Sequence, residues 1–111
     1  TINTFDSNIE GLTNENIFNN IQNEGTINFN SSNDTITELI NSGSITTKNK
    51  TTFDTVTSTG KNESDKATIS TDGETIFNGI LNNNRYSDIT LAGNTTFNDK
   101  VINAQYGTIT K

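Results

Sequence analysis

The chain has 111 residues, 13 acidic against seven basic side chains for a net charge of -6, a 28% hydrophobic content and a mean hydropathy of -0.62. So lean a composition excludes a compact globule with a thick core, and so acidic a one argues against nucleic acid or an anionic membrane surface as partner, since both are held by clustered cations. Cys, Met and His are absent, which removes disulfides, thiol chemistry, most transition-metal ligation and the commonest general base. Disordered chains are poor in β-branched residues, whereas Thr and Ile dominate here and Pro is missing, so strands are expected. Apolar runs are only two or three residues long, which predicts no membrane insertion and no signal peptide.

Taken in chain order, one unit recurs: a small polar residue, an isoleucine and a second small polar residue. It occurs as Thr1-Ile2-Asn3, Thr26-Ile27-Asn28, Ser44-Ile45-Thr46, Thr68-Ile69-Ser70, Asp88-Ile89-Thr90 and Thr108-Ile109-Thr110. From Ile27 onward the isoleucines step by 18, 24, 20 and 20 residues, a period that marks solenoids. In a strand the central isoleucine points inward and its polar flanks outward. The first repeat, through Ile9 and Leu12, is the least regular. Phe18, Ile36, Phe53, Phe77 and Phe97 form a second apolar column, and Ile21, Leu39, Val56, Ile80 and Val101 a third. Bends are expected at Gly25, Gly43 and Gly107, two residues before a column isoleucine, and at Asp72-Gly73 and Gly93-Asn94 after one. Ala67 and Ser87 replace glycine at the same point. Lys61-Asn62-Glu63-Ser64-Asp65 and Asn82-Asn83-Asn84-Arg85-Tyr86 read as surface-loop insertions that make the periods unequal.

These features predict an all-β parallel β-helix, a β-solenoid of about five turns of roughly 20 residues each, filling residues 1–111 as one segment of a longer repeat array. No turn can bury enough apolar surface to fold alone, so stacking is required, with like residues aligned in Ile, Phe, Thr and Asn ladders. Uncapped ends would leave raw sheet edges open to end-to-end self-association.

Gly25-Thr26-Ile27-Asn28-Phe29, Thr95-Thr96-Phe97-Asn98 and Gly107-Thr108-Ile109-Thr110 give the chain a phrase structure over most of its length. In composition and rhythm it resembles the β-helical passenger and stalk repeats of autotransporter or two-partner-secreted surface adhesins. The resemblance implies a right-handed parallel β-helix at a cell surface, extracellular, serving as a stalk, adhesive rod or filament toward a host-surface, matrix or carbohydrate ligand. The FxxN motif of chlamydial polymorphic membrane proteins is met only by Phe5-Asp6-Ser7-Asn8, and their GGAI motif not at all, so the chain is not placed there.

No catalytic, cofactor or metal residues are assigned. The flanks of the recurring unit resemble the Thr-x-Thr face of ice-binding solenoids, but only Thr108 and Thr110 keep both threonines. A carbohydrate-active β-helix enzyme needs carboxylates converging on one cleft; Asp54, Asp72, Glu74, Asp88 and Asp99 fall at different repeat positions, and Arg85 is the sole arginine. Thr71-Asp72-Gly73-Glu74 is the nearest approach to a Ca²⁺ loop and lacks most ligands. Five N-x-S/T sequons, at Asn30, Asn33, Asn49, Asn62 and Asn94, map to bends or loops. Tyr86 and Tyr106 lie in or near loops, where an aromatic ring with a polar tip can anchor a partner or cover the corner of a core.

Overall fold

The computed structural model describes residues 2–4, 8–12, 17–30 and 33–111, with side chains from Phe18 onward. Fourteen strands follow one another: β1 (Ile2–Thr4), β2 (Asn8–Leu12), β3 (Ile17–Asn23), β4 (Thr26–Phe29), β5 (Asn33–Asn41), β6 (Ser44–Thr47), β7 (Lys50–Ser58), β8 (Ala67–Thr71), β9 (Thr75–Phe77), β10 (Leu81–Asn83), β11 (Ser87–Leu91), β12 (Thr95–Phe97), β13 (Val101–Asn103) and β14 (Thr108–Thr110). Every pairing between them is parallel, and each strand pairs with strands of neighbouring coils. The protein is a parallel β-solenoid of about five turns. One sheet runs β2-β4-β6-β8-β11-β14; the other runs β1-β3-β5-β7-β10-β13, with β9 and β12 alongside.

The register places like over like. Ile9, Ile27, Ile45, Ile69, Ile89 and Ile109 align in one file of the first sheet. In the second sheet Phe18, Ile36, Phe53, Phe77 and Phe97 form another. The last three rings of that file stack in series, with centroids 5.2 Å apart at each step and planes within 13° and 11°. This spacing slightly exceeds the inter-strand distance of about 4.8 Å, which is what permits parallel rings to stack up a sheet.

Three expectations are corrected. Ile2 does not join the isoleucine file: β1 pairs with β3, setting Ile2 opposite Ile21, and Ile9 holds the isoleucine position of the first coil. The third file is Ile21, Leu39, Val56, Leu81 and Val101; Leu81 is fully buried and Ile80 is exposed. The reason is one added residue. Phe53 and Val56 are separated by Asp54-Thr55, and the chain bends without leaving the strand, whereas Phe77 and Leu81 are separated by Asn78-Gly79-Ile80. The longer link splits the long strand into two, so the last two coils have three strands where the earlier ones have two. Finally, Asn82 and Asn83 belong to β10 and Asn83 is buried, so only the residues after it form the insertion.

Two further inward files are polar. Thr51, Thr75 and Thr95 follow one another in register, and each hydroxyl donates to the carbonyl two residues earlier, of Asn49 (3.3 Å), Gly73 (3.2 Å) and Gly93 (3.2 Å). At the opposite corner Asn23, Asn41, Ser58, Asn83 and Asn103 align. Asn23 Nδ2 donates to Asn41 Oδ1 at 2.9 Å, Asn41 Nδ2 to Ser58 Oγ at 3.2 Å, and Asn83 Nδ2 to Asn103 Oδ1 at 2.8 Å. Asn41 Nδ2 also reaches the carbonyls of Gly43 and Thr68, both at 3.2 Å. Each amide thus ties adjacent coils while satisfying carbonyls that the turn would otherwise leave unpaired. Ser58 interrupts the file. Its short side chain is met by Ser87 Oγ at 2.7 Å, and Asn83 Oδ1 above it is left buried without a donor.

Gly43 shows how tightly the corners stack. A Cβ there would lie 2.1 Å from the carbonyl oxygen of Gly25, so only hydrogen fits. On the last coil Phe97, Val101 and Ile102 are 39%, 42% and 47% exposed.

Candidate functional site

The outward flanks of the isoleucine file form two straight columns, Thr26-Ser44-Thr68-Asp88-Thr108 and Asn28-Thr46-Ser70-Thr90-Thr110. Their polar groups engage one another. Thr68 Oγ1 donates to Ser44 Oγ at 3.0 Å, Thr46 Oγ1 donates to Asn28 Oδ1, and the Lys66 ammonium lies 3.6 Å from the Asp88 carboxylate. A hollow of about 570 Å³ between Asn30, Lys48 and Asp72 interrupts the face beside the second column.

The five acids remain dispersed. Asp54 and Asp72 are exposed on separate turns, Glu74 lies 3.9 Å from Lys50, and Asp99 Oδ1 accepts the Lys100 N–H at 2.7 Å. No group of three or more potential metal ligands converges among the described residues. Asp72 and Glu74 are both exposed and flank the turn at Gly73. Asn30, Asn33, Asn49, Asn62 and Asn94 are all exposed, while Ser31 and Ser32 of the first sequon lie outside the described residues, as do Thr1 and Phe5-Asp6-Ser7.

One corner departs from the economy of the rest, and it is the corner of the asparagine file. From Asn23 to Thr26 and from Asn41 to Ser44 the chain crosses it in three residue steps. From Ser58 to Thr68 it takes ten, and from Asn83 to Asp88 and Asn103 to Thr108 it takes five each. Three consecutive coils thus place their extra residues at the same corner, one above the other. In repeat proteins such per-repeat insertions collect on one face, often the binding face.

The enlarged corner carries the only two tyrosines of the chain and its only arginine. Tyr86 and Tyr106 have φ of 55° and 65°, the positive-φ residues other than glycine among the described residues. Their rings stack with centroids 5.4 Å apart and planes within 3°. Backbone bonds lock the arrangement: Gly60 N–H donates to Arg85 O at 2.9 Å, Ala67 N–H to Tyr86 O at 3.0 Å and Tyr86 N–H to Tyr106 O at 2.9 Å. A Cβ on Gly60 would fall 1.9 Å from Tyr86 O, so the neighbouring coil yields space for this turn. A bulky residue in the left-handed region costs about 1–3 kcal/mol. Two of them cost more than the ~0.5–1.5 kcal/mol that an aromatic pair returns beyond its burial.

Two open hollows flank the tyrosines. One, of about 440 Å³, lies between Glu63, Lys66, Tyr86, Tyr106 and Thr108. The other, of about 500 Å³, is lined by Thr59, Asn84, Arg85, Ala104, Gln105 and Tyr106. Asn84 Nδ2 is engaged with Thr59 Oγ1 at 2.9 Å, whereas the exposed side chains of Arg85 and Gln105 make no hydrogen bond or ion pair among the described residues.

The sequence sets Lys61–Asp65, Arg85 with Tyr86, and Tyr106 apart as three separate features; the fold brings them to one corner. Stacking predicted an asparagine ladder without saying which residues form it, although the signal is present as an asparagine or serine two residues after each member of the third apolar file. Compared with known proteins, the chain matches no family model and has no significant match among curated proteins or solved structures.

Proposed function

We propose that this chain is a structural or adhesive module of an extracellular or cell-surface protein, a rigid solenoid segment that holds a binding corner and performs no catalysis of its own. The observation that carries the reading is the register: the inward files repeat coil after coil in aliphatic, aromatic, amide and hydroxyl residues, with Asp34 below Thr51 the one buried carboxylate among the described residues, and the outward carboxylates described do not gather. Such a stack transmits load along its axis through many equivalent backbone bonds. It also lets one corner vary without disturbing the core. The resemblance to adhesin stalk repeats and the five exposed sequon asparagines favour the cell exterior.

Beads coated with the chain and flowed over glass bearing glycans or matrix proteins test this. Retention above that of albumin-coated beads is expected. No retention on any surface, together with either thermal hysteresis or release of reducing sugar from a polysaccharide panel, would overturn it in favour of an ice-binding face or a carbohydrate-active enzyme.

A further inference from the structure

We propose that the corner built by the three stacked insertions is a saccharide-binding site, with the Tyr106 ring as its platform and Arg85 and Gln105 as its hydrogen-bonding arms. The inference rests on the adhesive reading above and names the ligand class. Tyr106 is 63% exposed, and its ring is backed on one face by the stack on Tyr86. A rigid aromatic face suits the C–H face of a pyranose, because the ring's negative π-cloud attracts the weakly positive sugar hydrogens and little side-chain entropy is lost. The planar guanidinium of Arg85 and amide of Gln105 line the hollow on one side of the ring and supply donors and an acceptor for vicinal hydroxyls. Glu63 and Lys66 offer the same on the other side.

The hollows decide between ligand classes. They are open and polar-rimmed, which suits a ligand that keeps part of its surface in water and is a poor fit for an apolar molecule needing enclosure. The chain's net charge of -6 disfavours a polyanion. A neutral oligosaccharide satisfies both conditions, since Glu63 and the Asp88 partner of Lys66 offset the two cations at this corner.

The site reports on itself. With two tyrosines and no tryptophan in the chain, emission excited to the red of the phenylalanine absorption band arises from Tyr86 and Tyr106. The full chain is titrated with tri- to hexasaccharides of glucose, galactose, mannose and N-acetylglucosamine, following tyrosine emission and, independently, calorimetric heat. At least one is expected to give a saturable change with a dissociation constant tighter than about 5 mM. Tyr106→Gly is expected to weaken that binding at least ~10-fold while the melting temperature holds or rises, because glycine removes the φ strain. Arg85→Gln is expected to weaken it by about 3–10-fold. A purely structural tyrosine predicts the reverse for Tyr106→Gly, a lower melting temperature and unchanged binding.

The proposal is overturned if no sugar of the panel binds, if binding survives Tyr106→Gly, or if an unrelated peptide library is captured at this corner instead. Coated beads separate the two readings. Retention that persists with Tyr106→Gly keeps the adhesive module and discards this site; sugar binding without bead retention keeps the site and discards the module.

Discussion

Asn41→Asp changes one atom of the asparagine file without altering its volume. In the native corner Asn41 Oδ1 accepts from Asn23 Nδ2 at 2.9 Å and from Gly43 N–H at 3.2 Å, and a carboxylate would keep both bonds. Its Nδ2 donates to the Gly43 and Thr68 carbonyls and to Ser58 Oγ, and there a carboxylate would set oxygen against oxygen at two positions. Asn41 is 1% exposed, so the charge would also be desolvated. Full burial raises a carboxyl pKa by up to about 3–5 units, at about 1.36 kcal/mol per unit. Near pH 7 the charge penalty is limited to about 4 kcal/mol, because a carboxyl shifted any further protonates instead; with the lost donor it reaches ~5–7 kcal/mol, the lower part of the ~5–15 kcal/mol total stability of a domain. The sign follows from linkage. The introduced carboxyl has its folded pKa raised, so the charge penalty is absent below the unfolded value of about 3.9 and grows as pH rises toward the folded one.

Circular dichroism melts at pH 3 and pH 7, each against the parent chain, measure this. At pH 3 a protonated carboxyl retains one donor, and the loss is expected to be about 1–3 kcal/mol, or roughly 4–12 °C. At pH 7 the variant is expected to be largely unfolded near room temperature. A variant that melts within about 4 °C of the parent at pH 7 would refute a buried, donor-dependent amide at this corner.

The phenylalanine file should show graded costs. Phe77 is 1% exposed and stacked on both faces, so Phe77→Ala is expected to lose about 3–5 kcal/mol by denaturant titration. Phe97, 39% exposed and stacked on one face, should lose less than about half as much; equal losses would contradict the file. Thr47 and Thr71 bury hydroxyls with no hydrogen-bond partner, so Thr71→Val is expected to gain about 1 kcal/mol, read as a rise in melting temperature. Gly43→Ala must displace the Gly25 carbonyl beneath it and is expected to cost at least ~2 kcal/mol, with a melting temperature unchanged from the parent counting against the close stacking of these corners.

The solenoid class was legible because a stacked coil writes its geometry into the sequence more than once. A residue that packs on its own equivalents above and below must recur with the coil period, so Ile45, Ile69, Ile89 and Ile109 announced their file, as Phe53, Phe77 and Phe97 announced theirs. Strand alternation then separated inward isoleucines from their outward flanks. What the residues could not announce was how much chain each corner consumes. Ile80 and Leu81 are both apolar and adjacent, and only the extra residue of the bend turns the second inward and the first out. Ile2 sits in a unit worded like the others yet pairs with Ile21, because strand pairing obeys position along the coil and not local wording. The members of the asparagine file were hidden for a different reason: the loop at 61–66 and the serine at position 58 break its period midway. The stacking of three unlike insertions at one corner is a tertiary fact in the same sense. Lys66, Arg85 and Tyr106 share no motif and are drawn together only because successive coils close in register, each about 4.8 Å above the last.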